Sequence, residues 1–390
     1  MRPHIILLGR RNVGKSSLVN ALCESALALV SNVPGTTTDP VRKAFELLPF
    51  GPVVFVDTGG VDDTGELGEL RVERTRRELK KADFALLVVE NGVWGDYEQT
   101  LLRQLEAAKT PFLVVVNKTD LDEAWRAPVD DAWYVSALKG ENTRELRAEL
   151  AGRLRELVKR ESTIVGDLVT AGDLVVLVVP IDLEAPAGRL ILPQVMTIRD
   201  LLDNDAVALV VKERELYATL STLGRRPDLV ITDSQAVLKV TGDVEPEIPL
   251  TTFSILFARL KGDLHELTRG VKVIDKLRDG DRVLIAEACS HHPVGDDIGR
   301  VKIPRWIRQY TGVDVEFVNV QGREYPENLD DYSLIIHCGA CMLTPKAMES
   351  RMDEAAGHSV PITNYGVTIS YVQGVLERVI APFGLTLEDL

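Results

Sequence analysis

The sequence predicts an α/β protein of three domains, an N-terminal P-loop domain with a mostly parallel sheet followed by two smaller α/β domains. Its 390 residues exceed what one ordinary hydrophobic core accommodates. Short apolar runs alternate with helical patterns along most of the chain. A glycine-rich phosphate-binding motif follows the first of these runs. We place the domains at 1–162, 163–262 and 263–390.

The first domain is predicted from four apolar runs, each followed by a loop or by a segment with helical periodicity. The runs are "IILL", "VVFV", "FALLVV" and "FLVVV". Apolar strands that alternate with helices are typical of a parallel sheet covered on both faces. The helical pattern "NTRELRAELAGRLRELVKRES" closes the domain.

The second and third domains repeat the alternation of strand and helix. In the second, "DLVVLVVPID", "AVALVVKE" and "DLVITDS" are separated by helical patterns, and "FSILFARLKGD" ends the domain. In the third, "DRVLIAEACSHHP", "VDVEFVNVQG" and "YSLIIHCGACM" precede a helical tail, "YVQGVLERVIAPFG". We find no internal repeat in these patterns, so the domain boundaries depend on periodicity alone.

Composition excludes several classes of protein. A formal net charge of −14 argues against nucleic acid as a partner, because sequence-independent binding needs lysine and arginine to neutralise phosphates. No apolar run approaches the ~20 residues that span a bilayer, and the N-terminus lacks the pattern of a signal peptide. We therefore expect a cytoplasmic protein without a membrane segment.

The segment "GRRNVGKSS" lies between a strand and an amphipathic helix, the context that a phosphate-binding loop requires. Gly9 and Gly14 let the backbone curl so that its N–H groups point at the phosphates. Lys15 is placed to reach the β- and γ-phosphates, and the Ser16 hydroxyl to bind Mg²⁺. The predicted phosphate-binding residues are Gly9, Asn12, Val13, Gly14, Lys15, Ser16 and Ser17.

Three more motifs follow in order. In "DTGG", Asp57 can hold a Mg²⁺ water and the Gly60 amide can sense the γ-phosphate. In "NKTD", an aspartate can accept two hydrogen bonds from guanine that adenine does not offer. The predicted base-binding residues are Asn117, Lys118 and Asp120 from "NKTD" and Ser136, Ala137 and Leu138 from "SAL".

These motifs together resemble the translation-factor-type GTPases, and the "PGTT" segment with Asn12 resembles the TrmE/Era-like group among them. The resemblance implies hydrolysis of GTP to GDP and phosphate, with Thr37 as a Mg²⁺ ligand and Asn12 beside a bound K⁺. Val61 follows "DTGG" and has no polar group that could orient water. We therefore expect slow intrinsic hydrolysis that K⁺ stimulates.

Three of the four cysteines cluster in the last third of the chain, beside histidines, in "EACSHHP" and "HCGACM". Both motifs end apolar strands, and in a parallel sheet strand ends meet at one edge. Cys289, Cys338 and Cys341 can thus converge, to hold a structural Zn²⁺ with a histidine or a [4Fe–4S] cluster with an open iron. A redox pair or buried thiols are weaker alternatives, and Cys23 is predicted to be a core thiol.

A C-x-H motif, a spacer and an H-C-x-x-C motif behind a GTPase domain resemble the HydF family of [FeFe]-hydrogenase maturation GTPases. The pattern occurs here as Cys289, His291, His337, Cys338 and Cys341. The resemblance implies that the three cysteines hold a [4Fe–4S] cluster, with the two histidines as weak ligands or as hydrogen-bond donors that tune it. It also implies a homodimer formed by the middle domain.

The same resemblance implies a carrier function. The last domain would bear the diiron precursor of the hydrogenase active site, built with radical-SAM maturases, and pass it to the apo-hydrogenase. The alternative is a K⁺-dependent regulatory GTPase of RNA modification or ribosome assembly, whose Cys3His site binds structural zinc. The acidic composition argues against this alternative.

Overall fold

The computed structural model describes most of the chain and divides it into two compact units, Met1–Glu161 and Ser162–Leu390. The predicted site residues Thr37, Gly60, Val61, Cys289 and His291 lie outside the described residues. The described ranges are 3–23, 41–57, 78–79, 81–122, 124–161, 163–180, 190–288, 297–322, 324–341 and 343–388.

Within its described residues, the first unit has one six-stranded sheet in the order β2-β3-β1-β4-β5-β6, in which only β2 runs antiparallel to its neighbour. The four predicted apolar runs form buried strands, as parallel strands covered on both faces should. The strands are β1 (His4–Leu8), β2 (Val41–Leu47), β3 (Gly51–Asp57), β4 (Phe84–Glu90), β5 (Phe112–Asn117) and β6 (Ala132–Tyr134). The helices are α1 (Lys15–Cys23), α2 (Asp96–Ala107) and α3 (Thr143–Glu161).

The second unit contains two four-stranded parallel sheets among its described residues, which confirms the prediction of further α/β domains. The middle sheet consists of β7 (Leu174–Val178), β8 (Val207–Val211), β9 (Leu229–Thr232) and β10 (Leu250–Thr252), with helices α4 (Leu192–Asp203), α5 (Leu216–Thr222), α6 (Val237–Asp243) and α7 (Phe253–Lys261). The C-terminal sheet consists of β11 (Arg282–Glu287), β12 (Glu316–Gln321), β13 (Leu334–His337) and β14 (Ile362–Asn364), with helices α8 (Leu264–Val271), α9 (Ile303–Thr311), α10 (Pro345–Gly357), α11 (Tyr365–Val372) and α12 (Leu376–Ile380).

The two sheets of the second unit have the same topology. The middle sheet has the order β10-β9-β7-β8 and the C-terminal sheet the order β12-β11-β13-β14. With the strands of each sheet numbered in chain order, the first strand lies between the second and the third, and the fourth lies at the edge beyond the third. In each, the fourth strand leads directly into a helix, and "PLTTFS" at this junction of the middle sheet matches "PITNYG" in the C-terminal sheet.

Equivalent backbone hydrogen bonds support the repeat. The N–H of Gly172 donates to Asp205 and that of Gly280 to Asp314, both at 2.9 Å. These glycines have φ of +88° and +86°, where a side chain would be strained. The expectation of no internal repeat was therefore wrong. The two copies share backbone geometry and apolar character but few identical residues, so the repeat is hard to find in the sequence.

The repeats meet where their fourth strands enter α7 and α11. Ser254 and Gly366 are the second residues of these helices, and a Cβ on Gly366 would lie 2.4 Å from the Cβ of Ser254. The two equivalent positions thus face each other across a contact that has room for one side chain. The carboxyl end of each sheet consequently lies beside residues of the other repeat.

No helix in the described part of the chain has both the length and the apolar character to cross a bilayer.

Candidate functional site

The loop between β1 and α1 has the backbone of a phosphate-binding loop. Gly9 and Gly14 have φ of +140° and +91°, a region that side chains rarely adopt. A Cβ at Gly9 would lie 2.1 Å from the Val88 carbonyl oxygen, and one at Gly14 would lie 2.3 Å from the Asn117 amide nitrogen. Both positions therefore require glycine on grounds of space as well as conformation.

Two polar side chains of this loop, those of Lys15 and Ser16, have defined partners. The Lys15 ammonium is buried and donates to the carbonyl oxygens of Gly9, at 2.9 Å, and Arg10, at 2.8 Å. The Ser16 hydroxyl donates to the Asp57 carboxylate at 3.3 Å. Ser16 and Asp57 are thus placed together, as a shared Mg²⁺ site requires.

Asn117 links the base-binding loop to the phosphate-binding loop. Its side-chain amide donates to the Val13 carbonyl at 2.9 Å, and its side-chain oxygen accepts from the Ala137 N–H at 2.9 Å. The residue is 2% exposed. One buried side chain therefore sets the distance between three predicted binding segments.

Asp120 is held in an orientation by Ser136, whose hydroxyl donates to its carboxylate at 2.7 Å. This hydrogen bond holds the pKa of Asp120 below its usual value, so the carboxylate is ionised and can accept hydrogen bonds at neutral pH. Lys118 has a positive φ of 65° and its ammonium lies 2.9 Å from a Glu90 carboxylate oxygen. Leu138 is 87% exposed beside them.

The structure adds an ion pair beneath the phosphate-binding loop that sequence reasoning missed. The Arg10 guanidinium makes two hydrogen bonds to Glu98 of α2, at 2.7 and 3.1 Å. Glu98 also accepts from the Gly95 N–H at 2.9 Å and is 3% exposed. The only sequence signal is an acidic residue in the first turn of a helix, which helix capping alone explains.

In the second unit, β11 and β13 are parallel neighbours, so the ends of the two strands that precede the cysteine motifs lie at one edge of the sheet. Ala286 pairs with His337 in the strand register. The Ala288 N–H donates to the Cys338 sulfur at 3.3 Å. Ala288 is the last described residue before Cys289.

Cys338 and Cys341 lie on the loop that follows β13, and neither is in a disulfide within the described part of the chain. Between them, Ala340 has a positive φ of 51°, a left-handed conformation that is typical of a tight turn. Burial raises the pKa of Cys341, and the neighbouring Cys338 charge raises it further, whereas the Lys261 ammonium lowers it. A positive charge from the middle repeat is thus close to the cysteine loop.

His337 is completely buried at the end of β13. Its Nδ1 lies 2.8 Å from the Cys338 carbonyl oxygen, a partner that accepts only, so Nδ1 carries the proton. Nε2 is buried and has no hydrogen-bond partner among the described residues. A buried nitrogen with a free lone pair is unusual in a folded protein unless another group occupies its neighbourhood.

These features fit a bound metal group. Cysteine sulfurs are the donors that zinc and iron–sulfur clusters prefer, and the Nε2 of His337 offers a lone pair beside them. Within the described ranges, which exclude Cys289 and His291, no three potential metal-binding side chains converge. The predicted ligand set thus depends on the segment that follows Ala288.

Glu287, two residues before Cys289, was not identified from the sequence. It is 8% exposed and accepts hydrogen bonds from Gln321 at 2.9 Å and from Arg300 and Tyr365, both at 3.4 Å. It thereby ties the end of β11 to three other segments. An acidic residue that ends an apolar strand was the available signal.

Domain models place the chain among known proteins. Residues 164–262 match the hydrogen maturase F dimerization domain, and residues 265–382 match the hydrogen maturase F tetramerization domain. Together these matches cover more than half of the chain. The chain belongs to the hydrogen maturase F family. Residues 4–118 match the 50S ribosome-binding GTPase domain, so the first unit of this hydrogen maturase F chain is a GTPase domain.

Curated relatives match the GTPase part. The tRNA modification GTPase MnmE of Heliobacterium modesticaldum is 43% identical over 118 residues, which are 30% of this chain and 25% of the relative. GTPase Era of Carboxydothermus hydrogenoformans is 35% identical over 155 residues, which are 36% of this chain and 52% of the relative. The hydrogen maturase F chain thus spans a quarter to a half of these relatives.

Solved structures of GTPases also align with the chain. Era of Aquifex aeolicus bound to GDP·AlF₄⁻ aligns with a TM-score of 0.32 and 19% identity, over 57% of this chain and 99% of that one. The G domain of the T. maritima FeoB iron transporter aligns with a TM-score of 0.31 and 23% identity, over 40% and 99%. Scores this low do not bear on the function of the chain.

Proposed function

We propose that this chain is a GTP-hydrolysing scaffold and carrier in [FeFe]-hydrogenase maturation. It holds a [4Fe–4S] cluster and the diiron precursor of the hydrogenase active site, and it transfers the precursor to apo-hydrogenase. The observation that carries the proposal is the adjacency of β11 and β13, with the Ala288 N–H on the Cys338 sulfur. This arrangement supports a shared site for the two cysteine motifs, in a chain that also has a GTPase domain.

In the GTPase domain, the chain's own groups bind and orient the nucleotide. Lys15 and the backbone N–H groups of the loop would neutralise the phosphates, and Ser16, Thr37 and Asp57 would hold the Mg²⁺ that accompanies them. The Gly60 amide responds to the γ-phosphate. Asp120, ionised and fixed by Ser136, selects guanine by accepting hydrogen bonds from its N1–H and amino groups.

In the C-terminal repeat, Cys289, Cys338 and Cys341 supply three thiolates to the cluster. When bound, such a cluster offers one iron with an exchangeable position at which an external group can attach and leave. His337 keeps its Nδ1 proton on the Cys338 carbonyl and directs its Nε2 lone pair elsewhere. It therefore supports the loop backbone whether or not Nε2 contacts iron.

The partners follow from the family. The dimerization and tetramerization domains mark a chain that associates with copies of itself. The further partners that we propose are radical-SAM hydrogenase maturases, which build the diiron precursor, and apo-[FeFe]-hydrogenase, which receives it. A reducing cytoplasm is the compartment that suits free thiols in such a site.

Substitution of a cluster cysteine tests the proposal most directly. After anaerobic reconstitution with iron and sulfide, the unsubstituted chain should be brown, and Cys338→Ser should lose the visible absorption because one of three thiolates is missing. GTP hydrolysis should be nearly unchanged, since Cys338 belongs to the other unit. Absorption spectra, EPR and the iron-to-protein ratio measure the outcome.

Cys23→Ser is the matched control, because Cys23 is a half-buried thiol of the GTPase core whose pKa burial raises to about 11. It should retain the full cluster spectrum. A colourless reconstituted chain that contains one zinc per protomer would overturn the cluster and favour a structural zinc site. A normal spectrum for Cys289→Ser would overturn the ligand assignment.

Potassium dependence tests the predicted function of Asn12. We expect GTP hydrolysis to be faster in KCl than in NaCl, on the order of 10- to 100-fold, because a cation beside the phosphates stabilises charge that develops in the transition state. Asn12 has a φ of +63°, so Asn12→Gly removes the side chain without backbone strain and should abolish the difference. Equal rates in both salts for the unsubstituted chain would refute K⁺ stimulation.

A further inference from the structure

A buried glutamate of the GTPase domain holds the side chain of a residue in the phosphate-binding loop. Glu98 lies in the first turn of α2, and its carboxylate accepts two hydrogen bonds from the Arg10 guanidinium, at 2.7 and 3.1 Å. The guanidinium also lies over the Tyr97 ring, 4.8 Å from the ring centre. The Arg10 side chain is thus fixed against the start of α2 by a carboxylate and an aromatic ring.

The main chain of the same arginine contacts the phosphate-binding lysine. The Lys15 ammonium donates to the Arg10 carbonyl oxygen at 2.8 Å and to the Gly9 carbonyl oxygen at 2.9 Å. Lys15 is 7% exposed, and these two carbonyl oxygens orient its ammonium inside the loop. Glu98, Arg10 and Lys15 therefore form one chain of contacts from α2 to the group that is placed to reach the phosphates.

The contact between Glu98 and Arg10 is more than a helix cap. Capping of α2 needs only the hydrogen bond from the Gly95 N–H to the Glu98 carboxylate, at 2.9 Å. Burial alone would raise the pKa of Glu98, but the hydrogen bonds from Arg10 and from the Gly95 N–H hold that pKa below its usual value. Glu98 is therefore ionised at neutral pH. Two hydrogen bonds between opposite charges fix direction as well as distance, which is what positioning of a loop residue requires.

We propose that Glu98 is a positioning residue for nucleotide binding and hydrolysis, which acts through Arg10 to hold the loop carbonyl that orients Lys15. The inference rests on the GTP-binding part of the proposed function and does not involve the cysteine loop. In that function, Lys15 contacts the phosphates of the bound nucleotide and stabilises charge on them in the transition state. A small displacement of its ammonium should therefore weaken nucleotide binding and slow hydrolysis together.

The test measures the Kd of a fluorescent GDP analogue and the kcat and KM of GTP hydrolysis, with the full chain. GDP is the first probe because it carries the β-phosphate that Lys15 reaches. Glu98→Gln preserves the shape of the side chain but removes its charge, and Arg10→Met removes the guanidinium while leaving the main chain. Each should raise the Kd for GDP about tenfold and lower kcat/KM for GTP by at least as much.

Repetition of Glu98→Gln in the Lys15→Met background separates positioning from folding. A residue that acts through Lys15 should have no further effect on the Kd for GDP once the ammonium is absent, whereas independent effects add. We therefore expect the change in Kd to vanish in Lys15→Met. A loss of folded protein would instead lower the number of binding sites per chain and leave the Kd of the remaining sites unchanged.

Glu149→Gln is the matched control. Glu149 of α3 accepts a hydrogen bond from the Arg153 guanidinium at 2.7 Å, so the variant removes the same kind of contact from the same unit. This pair joins two residues of one helix and includes no residue of the phosphate-binding loop. The Kd for GDP and the kcat and KM for GTP should all remain at the unsubstituted values.

The outcomes separate the inference from the proposed function. An unsubstituted chain that neither binds GDP nor hydrolyses GTP overturns both. In an active chain, an unchanged or tighter Kd for GDP in Glu98→Gln overturns the inference alone, and so does an equal effect of Glu98→Gln with and without Lys15. If Glu98→Gln does not fold, Arg10→Met is compared in the same two backgrounds. An effect confined to chains with Lys15 then supports the inference, and equal effects contradict it.

Discussion

The middle and C-terminal sheets of the second unit share strand order and turn geometry, yet they differ at their carboxyl ends. After β9 the middle sheet continues with Asp233, whose carboxylate accepts from the Gln235 N–H at 3.0 Å in a tight polar turn. After β13 the C-terminal sheet continues with the loop that carries Cys338 and Cys341. The same scaffold thus ends in a polar turn in one copy and in a candidate metal-binding loop in the other.

The difference shows how a site can be added to a sheet without changing its framework. Residues that build the framework are equivalent in both copies: the Thr170 N–H donates to Asp173 at 2.7 Å, and the Arg278 N–H donates to Asp281 at 2.8 Å. The described cysteines of the candidate site lie on the loop after β13, in the region where ligands of open α/β sheets bind. One residue of the middle copy, Lys261, donates a hydrogen bond to the Leu343 carbonyl of the C-terminal copy, two residues beyond Cys341.

The largest stability effect that we expect from the comparison is at the contact of the two repeats. Gly366→Ala places a Cβ 2.4 Å from the Ser254 Cβ and 2.1 Å from its hydroxyl oxygen, so a helix must move. We expect a loss of about 1–3 kcal/mol in the free energy of unfolding. Urea denaturation of the full chain measures it, with amide hydrogen exchange in α7 and α11 assigning the transition to the second unit.

An exchange of residues sharpens this test. The double variant Ser254→Gly with Gly366→Ser moves the one side chain from α7 to α11. If the two positions are equivalent, its unfolding free energy should be higher than the effects of the two single substitutions, added together, predict. Gly242→Ala in α6 is the control, because its Cβ would meet no atom within 4 Å, and alanine favours a helix over glycine. Strict additivity at 254 and 366 would argue against a shared space.

The strands around the candidate sites were predictable because buried parallel strands are continuous apolar runs. β11 and β13 are entirely apolar at their centres, and their pairing followed from the rule that parallel strand ends share an edge. β2 was missed because it is an antiparallel edge strand with Arg42, Lys43 and Glu46 in it, which breaks the apolar pattern.

Long-range contacts were not predictable for a different reason. Lys261 in "FARLKGD" and Glu98 in "DYEQTL" both look like charged residues on a solvated helix face, which is the usual position of such residues. Each is buried by a segment about 80 to 90 positions away in the sequence. The repeat was missed because its shared identities are confined to one short junction, "PLTTFS" and "PITNYG".

A smaller effect is expected at the two helix caps that follow this junction. The Thr252 hydroxyl accepts from the Ile255 N–H at 3.1 Å, and the Asn364 side-chain oxygen accepts from the Val367 N–H at 2.9 Å. Thr252→Ala and Asn364→Ala should each cost about 1 kcal/mol of unfolding free energy, because a backbone donor of the first turn loses its partner.

The two caps should differ in a defined direction. Thr252→Ala should lower the unfolding free energy more than Asn364→Ala, because the Thr252 hydroxyl also lies 2.9 Å from the Ser254 hydroxyl. The exchanges Thr252→Asn and Asn364→Thr preserve a cap, so each should cost less than alanine at the same site. The same urea transition measures all four variants. An alanine variant as stable as the unsubstituted chain would show that its cap does not stabilise the start of the helix. The equivalence of the two repeats would then apply to their strands and turns, but not to the helices that bring Ser254 and Gly366 together.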